Sequence, residues 1–114
     1  MASSRLEFVQ SDRITAMRCF YDHQTDVLTI SVGDLADYHA SEELVHGVTL
    51  HVDAARRPLG AEIHAARSIA DTSSLRSFEE HSMVEGELER RLSKSESGRQ
   101  VWTVLSSAVT AAGV

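Results

Sequence analysis

Residues 17–32 read Met-Arg-Cys-Phe-Tyr-Asp-His-Gln-Thr-Asp-Val-Leu-Thr-Ile-Ser-Val, and this stretch decides the fold. Apolar and polar side chains alternate in both of its halves, a period of two that is typical of strands with one buried face. Between the halves, residues 22–26 are polar and of the kind whose side chains bond to nearby backbone groups, which favours a turn. The stretch therefore predicts two antiparallel strands joined by a short turn.

The register of this hairpin follows from the apolar side chains that must share a face. When Tyr21 lies opposite Leu28, Phe20 and Thr29 share the outer face, and a slip of one residue would turn Phe20 inward. The first register is preferred because it places six apolar side chains on one face: Met17, Cys19, Tyr21, Leu28, Ile30 and Val32.

A second pair of strands is predicted within residues 48–63, where apolar residues again alternate with others on both sides of a turn. Pairing Val52 with Leu59 sets three apolar pairs opposite one another on one face, which is the usual unit of sheet stability. On the other face, the same register sets His51 opposite Gly60.

Two helices are predicted in the last third of the chain. Ser77-Phe-Glu-Glu80 matches a capping box and predicts a helix that ends near Leu92. Beyond a polar break, residues 101–114 carry a second helical stripe; residues 100–105 are β-branched enough for a strand, but helix is favoured. The first helix would carry one apolar stripe: Phe78, His81, Val84, Leu88 and Leu92.

These patterns predict an α+β protein, in which a small antiparallel β-meander of four or five strands precedes one or two C-terminal helices. Residues 1–16 are predicted as an arm or an edge strand at Arg5–Gln10, and Tyr38–Leu44 as a polar third strand. Residues 17–66 form the predicted sheet and residues 67–114 the helical extension. Six residues are predicted as core: Leu28, Ile30, Val48, Leu50, Val52 and Ile63.

Length and composition predict one small domain in the cytoplasm. The chain has 114 residues, and its net charge of −6 argues against nucleic acid or an anionic membrane as the main partner. The single cysteine, Cys19, allows no internal disulfide and is expected to be a buried thiol. No signal peptide is predicted, and the apolar run Val101–Val114 is too short to span a bilayer.

Part of the chain resembles a known family. Over residues 17–66 the pattern resembles Domain of Unknown Function 2283, a family of short bacterial and archaeal proteins. The resemblance implies a small antiparallel sheet and no particular activity. Arg56 stands where the family usually has a turn glycine, and Pro58 and Ala61 replace larger apolar residues. The residues that carry the resemblance are Tyr21-Asp22, Asp26, Leu28-Thr29-Ile30, Gly47-Val48, Leu50, Asp53, Gly60 and Glu62-Ile63.

Six histidines are the one unusual feature of the composition. In the predicted register His51 and His64 share the outer face, with Glu62 between them, and such a set can bind a divalent metal or act as acid and base. No His-x-His or His-Glu-x-x-His spacing supports a metal, so solvated or interface histidines are favoured and no cofactor is expected. Asp22 and Asp26 resemble an acid pair, but turn capping explains them better.

The favoured hypothesis for function is a non-enzymatic interaction or structural module that forms a homodimer. One tail helix would cover the chain's own sheet and the other would meet a second copy; the competing arrangement folds both onto the same chain and leaves a monomer. The alternatives are an enzyme or metal-binding protein using His51, Glu62 and His64, and an antitoxin-like partner of a second small protein. The predicted interface comprises Phe20, Val84, Leu88, Leu92, Trp102 and Leu105.

Overall fold

The computed structural model describes the backbone of residues 16–113 and the side chains of residues 17–109, so the predicted strand Arg5–Gln10 lies outside the described residues. A 3-10 turn at Leu35–Asp37 precedes the third strand. The strands are β1 (Ala16–Asp22), β2 (Val27–Ser31), β3 (Ala40–Val45), β4 (Val48–Val52), β5 (Pro58–His64) and β6 (Glu80–Val84); the helices are α1 (Ala66–Ile69), α2 (Glu85–Leu92) and α3 (Glu96–Gly113).

The strands form one antiparallel sheet in the order β3-β4-β5-β2-β1-β6. The α+β class is confirmed, with helices following the sheet. The described sheet has six strands rather than four or five. Strands β3, β4 and β5 follow one another as a meander, and β5 then returns to pair with β2. The sheet is therefore built from two local sets of strands, β1–β2 and β3–β4–β5, which meet along the β2–β5 pair, and β6 is added beside β1.

The predicted register of the first hairpin is confirmed. Tyr21 lies opposite Leu28, and Phe20 lies opposite Thr29 on the other face. The turn forms because the Asp22 carboxylate accepts hydrogen bonds from the backbone N–H groups of Gln24 and Thr25, at 2.9 and 3.4 Å. The favoured interpretation of Asp22 as a turn-capping residue is therefore confirmed.

The second predicted register is confirmed up to its last pair. Leu50 lies opposite Ala61 and His51 opposite Gly60, as parity predicts. A β-bulge then shifts the register, so Val52 lies opposite Pro58 and the predicted pair with Leu59 is wrong. On the other side of β5, the carbonyl of Leu59 accepts the N–H groups of Val32 and Gly33, at 2.8 and 3.0 Å, and continues the pairing with β2.

The predicted helix from Ser77 to Leu92 is wrong in its first half, where β6 forms instead. The hydroxyl of Ser77 accepts the backbone N–H of His23 at 3.1 Å. Phe78 has a φ of 64°, outside the right-handed helical region. Met83 pairs with Met17 of β1. Tertiary pairing therefore overrides the capping signal, and the helical pattern holds only over α2, Glu85–Leu92.

All six predicted core residues are buried. Helices α2 and α3 pack against each other and cover the inner face of the chain's own sheet. Cys19 lies in this core with its sulfur 3.7 Å from that of Met83, and burial raises the pKa of its thiol to about 12. The expectation of a buried thiol is thus confirmed, as is the helical interpretation of residues 101–113.

A single buried arginine ties the loop before β6 to α2. Arg91 donates to the backbone carbonyls of Asp71 and Ser73, at 2.8 and 2.7 Å. Its Nε donates to the Glu87 carboxylate at 3.2 Å, the i,i+4 pair that favours a helix. Its guanidinium therefore holds the loop in place through charge-assisted hydrogen bonds away from water.

We predict that Gly98→Ala lowers the free energy of unfolding by about 1–3 kcal/mol, the usual range for overpacking. Gly98 lies in the first turn of α3, where a Cβ would overlap the carbonyl oxygen of Leu92 and lie 2.8 Å from that of Ile69. Both obstacles are backbone atoms, so neither can rotate away. Urea-induced unfolding followed by circular dichroism measures the change.

The matched control is Gly86→Ala in α2, where no atom lies within 4 Å of the added Cβ. This change should raise the free energy of unfolding by about 1 kcal/mol, because alanine favours a helix more than glycine does. Equal gains from both substitutions would show that α3 does not need the close approach at Gly98.

Candidate functional site

The sheet face directed away from the helices is called the open face here. Its side chains are half-buried or exposed, whereas most of those on the opposite face are buried. The strand registers align one side chain from each of β4, β5, β2, β1 and β6 in a row across the open face: Thr49, Glu62, Thr29, Phe20 and Glu80. The side chains in the middle of the face are therefore short or polar, and larger side chains lie towards its two sides.

One side of the open face carries a chain of hydrogen-bonded polar groups. The hydroxyl oxygens of Tyr38 and Ser41 are 2.6 Å apart, and the Ser41 oxygen lies 2.9 Å from Nδ1 of His51. The rings of Tyr38 and His51 meet edge to face, with centroids 5.7 Å apart. Together with Leu35, these two rings line a shallow, open depression.

This arrangement brings a hydroxyl to a histidine, which is the first requirement of a serine nucleophile. A working relay also needs a group that orients the histidine and donors that stabilise an oxyanion. Among the described side chains, no carboxylate is hydrogen-bonded to His51, and Tyr38 and Ser41 are both exposed. The arrangement is therefore a surface hydrogen-bond chain that lacks the parts of a catalytic triad.

The residues of the predicted metal site share the open face, but only Glu62 and His64 come together. Nε2 of His64 lies 2.9 Å from a carboxylate oxygen of Glu62. His51 lies opposite Gly60 of β5. Gly60 is four residues before His64, and at about 3.3 Å per residue the two lie roughly 13 Å apart along the strand. In the part of the chain that the structure describes, no three His, Cys, Asp or Glu side chains are placed to hold a metal ion.

The other side of the open face carries three exposed apolar side chains, called the apolar patch here. Phe20, Phe78 and Val84 are 40%, 60% and 65% exposed. The two phenyl rings contact each other at a centroid distance of 6.3 Å. Phe20 and Val84 were both predicted as interface residues. Phe78 was assigned to a helix stripe, and sequence reasoning missed it because its backbone conformation is unusual for phenylalanine.

The remaining predicted interface residues face the chain's own core. Leu88, Leu92 and Leu105 are fully buried, and Trp102 is partly buried against the same core. Both tail helices cover the chain's own sheet, so neither leaves an apolar stripe free for a second copy. The expectation that one helix stripe faces solvent is therefore corrected, and these leucines are unavailable to a contact between folded copies.

The charged residues that carry the family resemblance stabilise turns. The Tyr21 hydroxyl donates to the Asp26 carboxylate at 2.6 Å, and this carboxylate also accepts the N–H of Arg67 at 3.1 Å. Burial would raise the pKa of Asp26, but these hydrogen bonds and the Arg67 charge hold it below 3.8. Arg56, at the position of the family's glycine, has a φ of 67°, in the left-handed region that favours glycine.

Comparison with known proteins found no relative: no family model, no curated protein and no solved structure matches the chain. The resemblance to Domain of Unknown Function 2283 therefore stays an expectation. None of the helices among the described residues is long and apolar enough to cross a membrane.

We predict that Tyr21→Phe lowers the free energy of unfolding by about 1.5–3 kcal/mol near neutral pH, because a half-buried carboxylate loses a charged hydrogen bond. The folded-state pKa of Asp26 lies below its ordinary value of 3.8. The ionised carboxylate therefore adds to the free energy of unfolding above pH 3.8, and this stabilisation is lost as the pH falls through the folded-state pKa. The cost of Tyr21→Phe should therefore shrink in acid. Urea unfolding at neutral pH and at about pH 3 measures both values.

Tyr38→Phe is the matched control, because this exposed hydroxyl bonds only to the exposed Ser41 hydroxyl among the described side chains. Its removal should change the stability by less than about 0.5 kcal/mol, as surface substitutions generally do. A Tyr21→Phe variant as stable as the Tyr38→Phe variant would contradict the structural role of the Tyr21–Asp26 bond.

Proposed function

We propose that the protein is a non-enzymatic interaction module that associates with itself through the apolar patch. The observation that carries this proposal is the exposure of Phe20, Phe78 and Val84 on one side of the open face, where the two phenyl rings contact each other. Single exposed apolar residues are normal, but two exposed aromatic rings in contact are typical of a contact surface.

The backbone of Phe78 supports a role for this side chain in binding. A bulky residue with a φ of 64° is rare and costs about 1–3 kcal/mol. The conformation leaves the phenyl ring 60% exposed. Burial of this ring within the single chain therefore offsets little of the conformational cost. A binding partner that covers the ring would supply the missing gain through burial of its apolar surface.

The chemistry of the rest of the open face favours binding over catalysis. Residues 17–109 hold no metal-binding group of three side chains, and the Ser41–His51 pair has no orienting carboxylate. The resemblance to a family without established activity adds no catalytic expectation. A second copy of the chain is the simplest partner, because two-fold dimers are the commonest assemblies of soluble proteins.

We predict that the unaltered protein has the mass of two chains in light scattering at micromolar concentration, and that Phe78→Asn with Val84→Ser reduces it to one. Both changes remove apolar surface while suiting the local backbone. Asparagine tolerates a positive φ, and serine is a preferred residue at the N-cap that Val84 occupies before α2. The single chain should therefore stay folded, which circular dichroism checks.

The control variant is Leu35→Ser, which removes an apolar side chain of 48% exposure from the opposite side of the open face. It should leave the dimer intact. A mass of one chain for the unaltered protein would overturn the proposal. Equal weakening by both variants would show that the contact is not confined to the apolar patch.

A further inference from the structure

Resting on the self-association just proposed, we infer that the seam of the dimer is antiparallel pairing of β6 with the β6 strand of a second copy. The pairing would join two six-stranded sheets into one continuous sheet across a two-fold axis. Main-chain hydrogen bonds would supply the contact, and the side chains of the edge would set its register.

Strand β6 has an unused edge in the part of the chain that the structure describes. It stands last in the strand order and pairs on one side, with β1. An edge strand presents backbone N–H and C=O groups that pair readily with another strand. No register shift interrupts the β1–β6 ladder, so β6 follows the regular path that a further strand requires.

The sequence of β6 is self-complementary when two copies pair antiparallel about Ser82. Directly opposite residues must lie on the same face of the joined sheet, and this register satisfies that rule for the whole strand. Glu80 then lies opposite Val84 of the second copy, and His81 opposite Met83. Within Glu80–Val84 no like charges are directly opposed, so the side chains of the strand itself do not repel one another in this register.

The opposite edge of the sheet, β3, lacks this complementarity. A same-face register about Glu42 or about Glu43 sets that carboxylate against itself across the two-fold axis. The registers about Ser41 or Leu44 pair only half of the strand. A β-bulge between Glu43 and Val45 further disturbs the ladder. Charges and bulges are common means of blocking edge pairing, so β3 is protected where β6 is not.

The apolar patch is continuous with this seam. Val84 is a residue of β6 itself, and Phe78 precedes the strand by two positions. Phe20 lies on β1 opposite Glu80. A second β6 placed beside the first would bring its own Val84 and Phe78 to the same side of the sheet. Three exposed apolar residues of the open face thus lie at or beside the edge that is free to pair, whereas Leu35 and Tyr38 are exposed on the side of β3.

The test is oxidation of a Ser82→Cys variant of the full chain with diamide, read as covalent dimer on a non-reducing gel. Ser82 lies on the two-fold axis, and directly opposite residues have Cβ atoms about 4.5–5.5 Å apart, close to disulfide distance. Most of the variant should cross-link. Cys19 is 1% exposed and its thiol pKa is raised to about 12, so the unaltered chain should not. The matched control, Ser41→Cys on β3, should stay uncrosslinked.

A second variant tests the register without forming a disulfide. Ser82→Glu opposes two carboxylates at the axis and should convert the dimer to single chains, whereas Ser41→Glu should not. A dimer that cross-links through neither position and survives Ser82→Glu would overturn the β6 seam and leave the proposed self-association standing. A mass of one chain for the unaltered protein would overturn both.

A competing partner for the β6 edge is the chain's own predicted strand Arg5–Gln10. Hydrogen exchange distinguishes this partner from the β6 strand of a second copy. Pairing between copies makes protection of the amides of residues 80–84 rise with protein concentration. Protection that stays the same on dilution to single chains would assign the edge to the chain's own segment and overturn the inference.

Discussion

The pairing of β2 with β5 is the contact on which the rest of the sheet depends, because it joins the β1–β2 hairpin to the β3–β4–β5 meander, and each of these two sets forms locally. The two backbones approach so closely that a Cβ on Gly60 would overlap the carbonyl oxygen of Ile30. Glycine is therefore required there. Ala61, the next residue, is fully buried opposite Ile30 and leaves room for that larger side chain. This small-against-large packing turns two hairpin units into one continuous apolar layer, which α2 and α3 then cover.

The sequence predicts the local pairings well because alternation and short turns set them. Both registers follow from parity, and only the bulge at Val52 departs from it. The strand β6 was not predictable in this way, because its residues carry two periods at once. Met83 alternates correctly for a strand, while Leu88 and Leu92 continue a helical spacing that extends back to Val84. Pairing with β1 decides between them, and a partner so distant in the chain leaves no local signal.

The features of the open face also divide into those that the local sequence predicts and those that depend on strand pairing or an unusual backbone conformation. Parity alone places Phe20 outward, and the structure agrees. The hydrogen bond between Ser41 and His51 depends on the β3–β4 register, which the sequence did not specify. Phe78 was missed because a left-handed conformation is expected of glycine or asparagine. The result is an open face with a polar hydrogen-bonded side and an apolar side, whose two edges differ in charge and regularity.

The contact between Cys19 and Met83 has a consequence for the order of folding. The two sulfur atoms belong to strands that pair across 64 positions of chain. Closing so long a loop is slower than forming a hairpin with a turn of a few residues, so β1 and β2 should associate well before β6 arrives. Until then the thiol of Cys19 lies on the outermost strand with its neighbour missing. Its accessibility to a thiol reagent during refolding would therefore report the moment at which the sheet is completed.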